Sequence, residues 1–282
     1  MMFRRLSVLL LLFCLGIWPV AAQELSADEE AFLSADWHWQ DVEHRLQWGS
    51  ASVELFGARR QISVVRFNPC RVRTAVVNDA GPEADKTSAL ALRHHARAAV
   101  NGSYFDRQVC PVTLVVENGV QEGWTMPGET ERVNGVVAIR GRRIDILVCD
   151  TLQYPALQAK YRDLLAAGPV LLCKGEQVWT RGELAGSFYR GHPRTVVGKD
   201  AAGQVYFLVI DGRHAGHAKG VTLEETIRIA RFFGLVDAIN LDGGGSSTLW
   251  VKEAGVLNYP CDNGAFDHAG QRVIPNILSV SW

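Results

Sequence analysis

The chain has 282 residues, 48% hydrophobic and 21% charged, with 29 Lys+Arg against 30 Asp+Glu and six cysteines. Those proportions exclude a disordered chain, a collagen-like repeat and a small disulfide scaffold, and they supply ample apolar material for a core. A formal net charge of −1 also argues against a protein spread along nucleic acid or an anionic membrane, which needs a large basic excess, so any anion site has to be local.

Arg4 and Arg5 precede an apolar run from Leu6 to Trp18, and Val20-Ala21-Ala22 follows as a small-residue cleavage site. The run is shorter than the ~20 apolar residues of a membrane span, so residues 1 to 22 read as a secretory signal peptide rather than an uncleaved anchor. Cys14 follows Leu-Leu-Phe, not the small residues expected before a lipid-modified cysteine. The expected product is exported, periplasmic or secreted, with no stable membrane insertion. Residues 23 to 282 retain 27 Lys+Arg against 30 Asp+Glu and five cysteines, Cys70, Cys110, Cys149, Cys173 and Cys261, with no C-x-x-C pair. Zinc ribbons and thioredoxin-like motifs are therefore disfavoured. Two disulfides with one free thiol and small buried hydrophobes both remain open for these cysteines.

Residues 23 to 59 read as a short acidic leader, with the aromatic cluster Trp37, Trp39 and Trp48, leading into a first strand. Gln61 to Phe67 and Arg71 to Val77 alternate polar and apolar residues, the pattern of half-buried strands. Thr87 to Arg97 is helix-compatible, and Ala98-Ala-Val-Asn101 is a short buried strand entering a glycine-containing loop. Strands follow at Val112 to Val116, Val133 to Ile139, Ile144 to Cys149 and Val170 to Cys173, with turns at Glu117-Asn-Gly119, Arg140-Gly-Arg142 and Lys174-Gly175. Pro155 to Ala167 predicts a helix stopped by Gly168-Pro169. Thr195 to Val197 and Val205 to Ile210 are strands, and Thr222 with Glu225 forms a capping box for a helix with Leu223, Ile227, Ala230 and Phe233 on one face. A last buried strand, Val236 to Leu241, runs into Asp242-Gly-Gly-Gly-Ser-Ser247. Many strands and few helices predict an α+β fold, one domain with a mixed or antiparallel sheet core over residues 60 to 282.

The glycine loop is the most specific segment. Gly243, Gly244 and Gly245 at a strand's end can bring backbone N–H groups against an anion, and Ser246 and Ser247 add hydroxyls. The spacings of the P-loop, the dinucleotide fingerprint and the nucleophile elbow are all missing. Three more clusters lie at strand edges: Asn101-Gly-Ser-Tyr-Phe-Asp106, His192-Pro-Arg-Thr195 with Arg194 able to grip a phosphate, and Asp211-Gly-Arg213. Taken singly, each can be turn chemistry or a surface charge, and Asp211 and Arg213 can pair with each other.

In their order and approximate spacing these clusters, with Gly168-Pro169, Thr222-Leu-x-Glu225, Asn258-x-Pro-x-Asp262 and Gly270-x-Arg-Val-x-Pro-Asn276, resemble the phosphodiester glycosidase domain family. The resemblance covers about residues 60 to 282 and implies hydrolysis of a sugar-1-phosphodiester to free sugar and a phosphomonoester. Ser103-Tyr104 and His214-Ala-Gly-His217 depart from the family pattern; His214 or His217 is a candidate substrate contact, and a metal site there lacks a third ligand.

Cleaving the C1–O bond of a glycosyl phosphate builds oxocarbenium character on the sugar and charge on the phosphate, which leaves without needing a proton. Arg194, Arg213, the amides of Gly243 to Gly245 and the Ser246 hydroxyl are therefore assigned to the phosphate, with Asn101, Ser247 and Arg272 as further binding candidates. Arg272 can equally pair with Asp262. The reacting carboxylate is Asp242, Asp106 or Asp211, and Asp242 is preferred because it adjoins the glycine loop. Glu225 is left to its capping box. No cofactor is required, although a divalent cation such as calcium is compatible with the acidic loops. Two rival readings stay open: a non-catalytic glycan-binding protein of the cell envelope, and a phosphodiesterase that attacks phosphorus. The expected partner is a small glycosyl phosphodiester or a phosphodiester-linked glycan.

Overall fold

The computed structural model describes residues 25–179 and 190–282, so the expected signal peptide lies outside the described residues. In chain order the elements are α1 (Ala27–Leu33), β1 (His38–Val42), β2 (Leu46–Leu55), β3 (Ala58–Phe67), β4 (Arg73–Asn78), β5 (Asp85–Lys86), α2 (Thr87–Arg93), β6 (Ala98–Asn101), β7 (Val115–Glu117), β8 (Val120–Gly123), β9 (Gly135–Arg140) and β10 (Arg143–Val148). They continue as α3 (Tyr154–Gln158), β11 (Asp163–Ala167), β12 (Val170–Cys173), β13 (Glu176–Gln177), β14 (Arg194–Asp200), β15 (Val205–Ile210), α4 (Leu223–Phe232), β16 (Leu235–Asn240), β17 (Leu249–Val251), β18 (Gly255–Val256), β19 (Val273–Ile274) and β20 (Asn276–Ser281).

An eight-stranded sheet runs β1-β2-β3-β15-β14-β16-β12-β13; two five-stranded sheets run β10-β9-β11-β7-β8 and β18-β17-β6-β20-β4; β19 and β5 form a small ribbon. The pairings that build these sheets are antiparallel. This is the expected α+β class, with an antiparallel core.

The three large sheets turn one face each into a common core: Val65, Phe207 and Ile239 from the first, Val137 and Leu165 from the second, Val100 and Leu278 from the third. Helices cover the opposite faces. The apolar stripe of α4 packs Leu223, Ile227 and Ala230 against Val64, Val196 and Leu208, α2 supplies Leu90 and Ala91 to a cluster with Ala99 and Ile277, and Tyr154 of α3 joins Leu114, Val136 and Leu164. Strands buried on both faces have no polar side to show, which is why Val205 to Ile210 reads as an unbroken apolar run. β2 and β3 pair along their full length and β3 in turn pairs with β15, so residues 46–59 belong to the same sheet as the strands that carry the motifs. Trp37 and Trp39 stack at 5.5 Å, whereas Trp48 separates from them and enters the common core.

Two helix expectations change. The stretch 155–167 is helical only to Gln158, and Asp163–Ala167 forms β11, a central strand between β9 and β7. Leu-Leu-Ala-Ala sends Leu165 and Ala167 to the common core and Leu164 and Ala166 to the outer one; a short apolar run carries no period that separates strand from helix. The helix from Thr87 stops at Arg93, where His95 takes φ 54°. The turn expected at Asn118-Gly119 is present, with φ of 50° and 83°, as a two-residue hairpin loop requires. Cys70, Cys110, Cys149, Cys173 and Cys261 are all free thiols, and of these only Cys149 is buried.

Candidate active site

Antiparallel registry assembles the site. β14 lies between β15 and β16, pairing Arg194 with Ile210 and Val196 with Asn240, so the start of β14 meets the ends of both neighbours. That single fact brings His192-Pro193-Arg194, Asp211-Gly212-Arg213 and the Asp242 loop to one sheet edge. β6 belongs to another sheet, and Asn101 at its end joins the two. Its Nδ2 donates to the Asp242 carbonyl (2.7 Å), while its Oδ1 accepts from Thr195 Oγ1 (2.9 Å) and the Thr248 amide (3.1 Å). Asn101, expected to bind substrate, is fully buried and joins protein to protein.

The glycine loop is held more tightly than its sequence suggests. The Asp242 amide donates to Gly102 O (3.1 Å), the Gly243 amide to Asp242 Oδ1 (3.0 Å) and the Gly244 amide to Pro193 O (2.9 Å). Two of the three amides expected to face a phosphate are thus spent inside the protein. Ser247 is buried, with Oγ 3.1 Å from Thr195 Oγ1, and Ser246 is buried beside Asp242. Gly245 is needed for close approach: a Cβ there would collide with the Asp262 carboxylate and the Arg272 guanidinium. Those two form an ion pair at 2.6 Å and 3.0 Å, so Arg272 both pairs with Asp262 and lies against the loop.

The three carboxylate candidates separate by environment. Asp242 is partly exposed and its carboxyl is pushed up to about 6 by desolvation, against the opposing pull of Ser246, Arg272, Arg132 and the Gly243 amide. Asp211 is sealed at 1% exposure. It accepts from Asn258 Nδ2 (2.8 Å) and the Tyr259 amide (3.1 Å), and burial lifts it to about 7. It clasps the chain segment that follows β18 and makes no ion pair with Arg213 among the described residues. Asp106 Oδ1 accepts from the amides of Gln108 (2.9 Å) and Cys110 (3.0 Å), an Asx-type turn. Asp106 and Asp242 are both partly exposed, and Asp242 is the one that adjoins the glycine loop and stands in the field of Arg272 and Arg132.

The arginines divide as well. Arg194 is buried, with Nε donating to Val221 O (3.1 Å) and Nη2 to Arg190 O (3.3 Å), and burial lowers its guanidinium to about 10. Arg213 is exposed, has φ 64°, and lays its guanidinium along Gly244. The nitrogen it meets is His192 Nδ1, at 3.3 Å from Nη2. Burial and the Arg194 and Arg213 charges depress the His192 pKa, which keeps the ring neutral and its Nδ1 lone pair available to Arg213.

His214 and His217 take part in a ring ladder. Phe266 stacks on Tyr259 at 4.0 Å and on His217 at 4.4 Å, and His214 Nε2 lies 3.0 Å from Tyr259 O. Among the described residues no group of three or more His, Cys, Asp or Glu side chains is placed to hold a metal. Sequence reasoning missed two parts of the surroundings. Tyr104 OH donates to Gly168 O (2.6 Å), which also accepts from Asn240 Nδ2 (3.0 Å), and the Arg132 guanidinium sits 4.0 Å from the centre of the Tyr104 ring. Tyr104 and Asn240 were visible inside their motifs; Arg132 sits in a turn with no local pattern to distinguish it.

The family model for phosphodiester glycosidases matches residues 94–281, a span that takes in every cluster at this edge but leaves out β3 and β4. Over 70 residues, 25% of the chain, the sequence is 40% identical to the N-acetylglucosamine-1-phosphodiester alpha-N-acetylglucosaminidase of Bos taurus, and this stretch is 13% of that protein's length. Among solved structures, the catalytic domain of the zebrafish N-acetylglucosamine-1-phosphodiester alpha-N-acetylglucosaminidase superimposes with a TM-score of 0.66 at 21% identity, covering 84% of this chain and 83% of that one. A hypothetical protein from Synechocystis gives a TM-score of 0.62 at 15% identity, covering 86% of this chain and 63% of that one. At such identities the structures speak for the shared fold. With two thirds of its length matched by the family model, the chain belongs to the phosphodiester glycosidase family.

Proposed function

We propose that the protein is an exported hydrolase that cleaves the C1–O bond of a sugar-1-phosphodiester, releasing the sugar and leaving a phosphomonoester on the partner molecule. The observation that carries this reading is the pairing of Asp242, a partly exposed residue whose carboxyl is lifted to about 6, with an exposed residue, Arg213, whose guanidinium lies along the adjoining Gly244. At neutral pH Asp242 is largely ionised and faces C1, where it meets the positive charge that develops on the sugar or takes the proton of an attacking water. Arg213, held by His192, receives the departing phosphate, and Arg194 and Arg272 add positive potential from behind. The reaction changes no oxidation state, so no redox cofactor is called for. The N-terminal sequence supports a periplasmic or secreted setting, and no helix among the described residues is long and apolar enough to cross a membrane.

Hydrolysis of glycosyl phosphodiesters in heavy-oxygen water tests the proposal. Label at C1 of the released sugar is the expected result. Label in the phosphate would replace it with attack at phosphorus, and binding without any product would leave a glycan-binding protein.

A further inference from the structure

A cavity of about 640 Å³ adjoins the site, walled on one side by the β2–β3 hairpin, with Glu54 and Arg59, and on the other by the loop from Arg213 to Lys219. Its size is that of a small-molecule pocket, which commonly spans ~300–1,000 Å³. Arg213 lines this cavity and also touches the glycine loop at Gly244, so one guanidinium stands between the two spaces. The wall is preformed. His214 and Ala218 exchange backbone hydrogen bonds of 3.0 and 2.9 Å, and the ring ladder fixes His217 against Phe266. In a chain of net charge −1 the lining is cationic: Arg59, Arg213 and Lys219 stand against Glu54 alone. Glu54 is 3.5 Å from Arg59, and Lys219 has no carboxylate in ion-pair range among the described residues.

We infer that this cavity receives the aglycone, the group on the second ester oxygen of the phosphate, and that Arg59 and Lys219 select aglycones bearing a further anionic group; this rests on the hydrolytic reading above. With phosphate at Arg213 and the sugar toward Asp242, the tetrahedral phosphorus directs its other ester away from the carboxylate. The space it enters is the cationic cavity. A second phosphate or a carboxylate there meets Lys219, which has no ion-pair partner among the described residues and which a neutral alkyl group cannot use.

The test compares two phosphodiesters of the same sugar, one with a methyl aglycone and one with an aglycone carrying a second phosphate. The wild type is expected to favour the anionic substrate, and Lys219→Ala or Arg59→Ala to lower the ratio of the two kcat/KM values about threefold to fivefold each, the scale of an exposed ion pair. An unchanged ratio in both variants overturns the inference. If neither substrate is turned over, the hydrolytic reading fails, and calorimetry with methyl phosphate and propane-1,3-diol bisphosphate still decides the subsite. Selective weakening of the bisphosphate in Lys219→Ala supports it; equal weakening of both ligands, or none, refutes it.

Discussion

Replacing Asp242 with Asn should make the protein more stable at neutral pH while removing its proposed chemistry. The carboxyl titrates near 6 in the folded chain against an ordinary 3.8, because desolvation outweighs the help of Ser246, Arg272 and Arg132. A raised carboxylate pKa means that the native state holds its proton more tightly than the unfolded one. Wild-type stability therefore falls as pH rises from about 3.8 through about 6 and levels off above. A gap of about two pH units is about 3 kcal/mol at full weight, and solvent screening at this partly exposed residue reduces it to about 1–2 kcal/mol. Asn carries no charge, so Asp242→Asn escapes the loss. Thermal unfolding should show Tm raised by about 3–6 °C at pH 7.5 and by little or nothing at pH 4, provided both proteins unfold reversibly. Turnover at pH 7.5 should drop about 10²–10⁴-fold, and the gap should narrow sharply at pH 4, where the wild-type carboxyl is itself protonated. A Tm difference independent of pH, or a less stable variant at pH 7.5, would refute the reasoning that burial of an ionised Asp242 is the cost the fold bears for its site.

Other outcomes follow from the same geometry. Asp211→Ala strips the acceptor from Asn258 Nδ2 and the Tyr259 amide and should cost about 2–3 kcal/mol in chemical denaturation at pH 5, where the wild-type carboxyl is protonated. That deficit should shrink as pH rises through about 7, since the raised Asp211 pKa makes the wild type lose stability over that range. Gly245→Ala forces apart the Arg272–Asp262 pair; a destabilisation of about 1–3 kcal/mol, measured by urea titration, should accompany a rise in KM. His192→Ala frees Arg213 from its ring partner, and steady-state kinetics should show kcat/KM down about tenfold, with His192→Asn, which keeps an acceptor, recovering part of it.

The capping box of α4 was legible in the sequence because it is local: Thr222 and Glu225 are three residues apart, and both reciprocal hydrogen bonds form. The hairpin turn at Asn118-Gly119 was legible for the same reason. The helix read over 155–167 failed where locality fails. Leu164 to Ala167 is a strand because β9 and β7 flank it, and its own residues hold no period to say so. The site divides along the same line. Motif order carried the family and the membership of Asp242, Arg194, Arg213 and the glycine loop in one neighbourhood, since each motif sits at a strand end. Which of those groups is open was settled by contacts between residues far apart in the chain. Asn258 and Tyr259 close over Asp211 from 47 and 48 positions away, the Asp242 carbonyl engages Asn101 across 141, and the Asp262–Arg272 pair presses on Gly245. Residue type and spacing by themselves determined which chemistry this chain can hold. Burial and hydrogen-bond partnership, which exist only once the sheets meet, decided which of these groups are sealed inside the protein and which stay partly exposed.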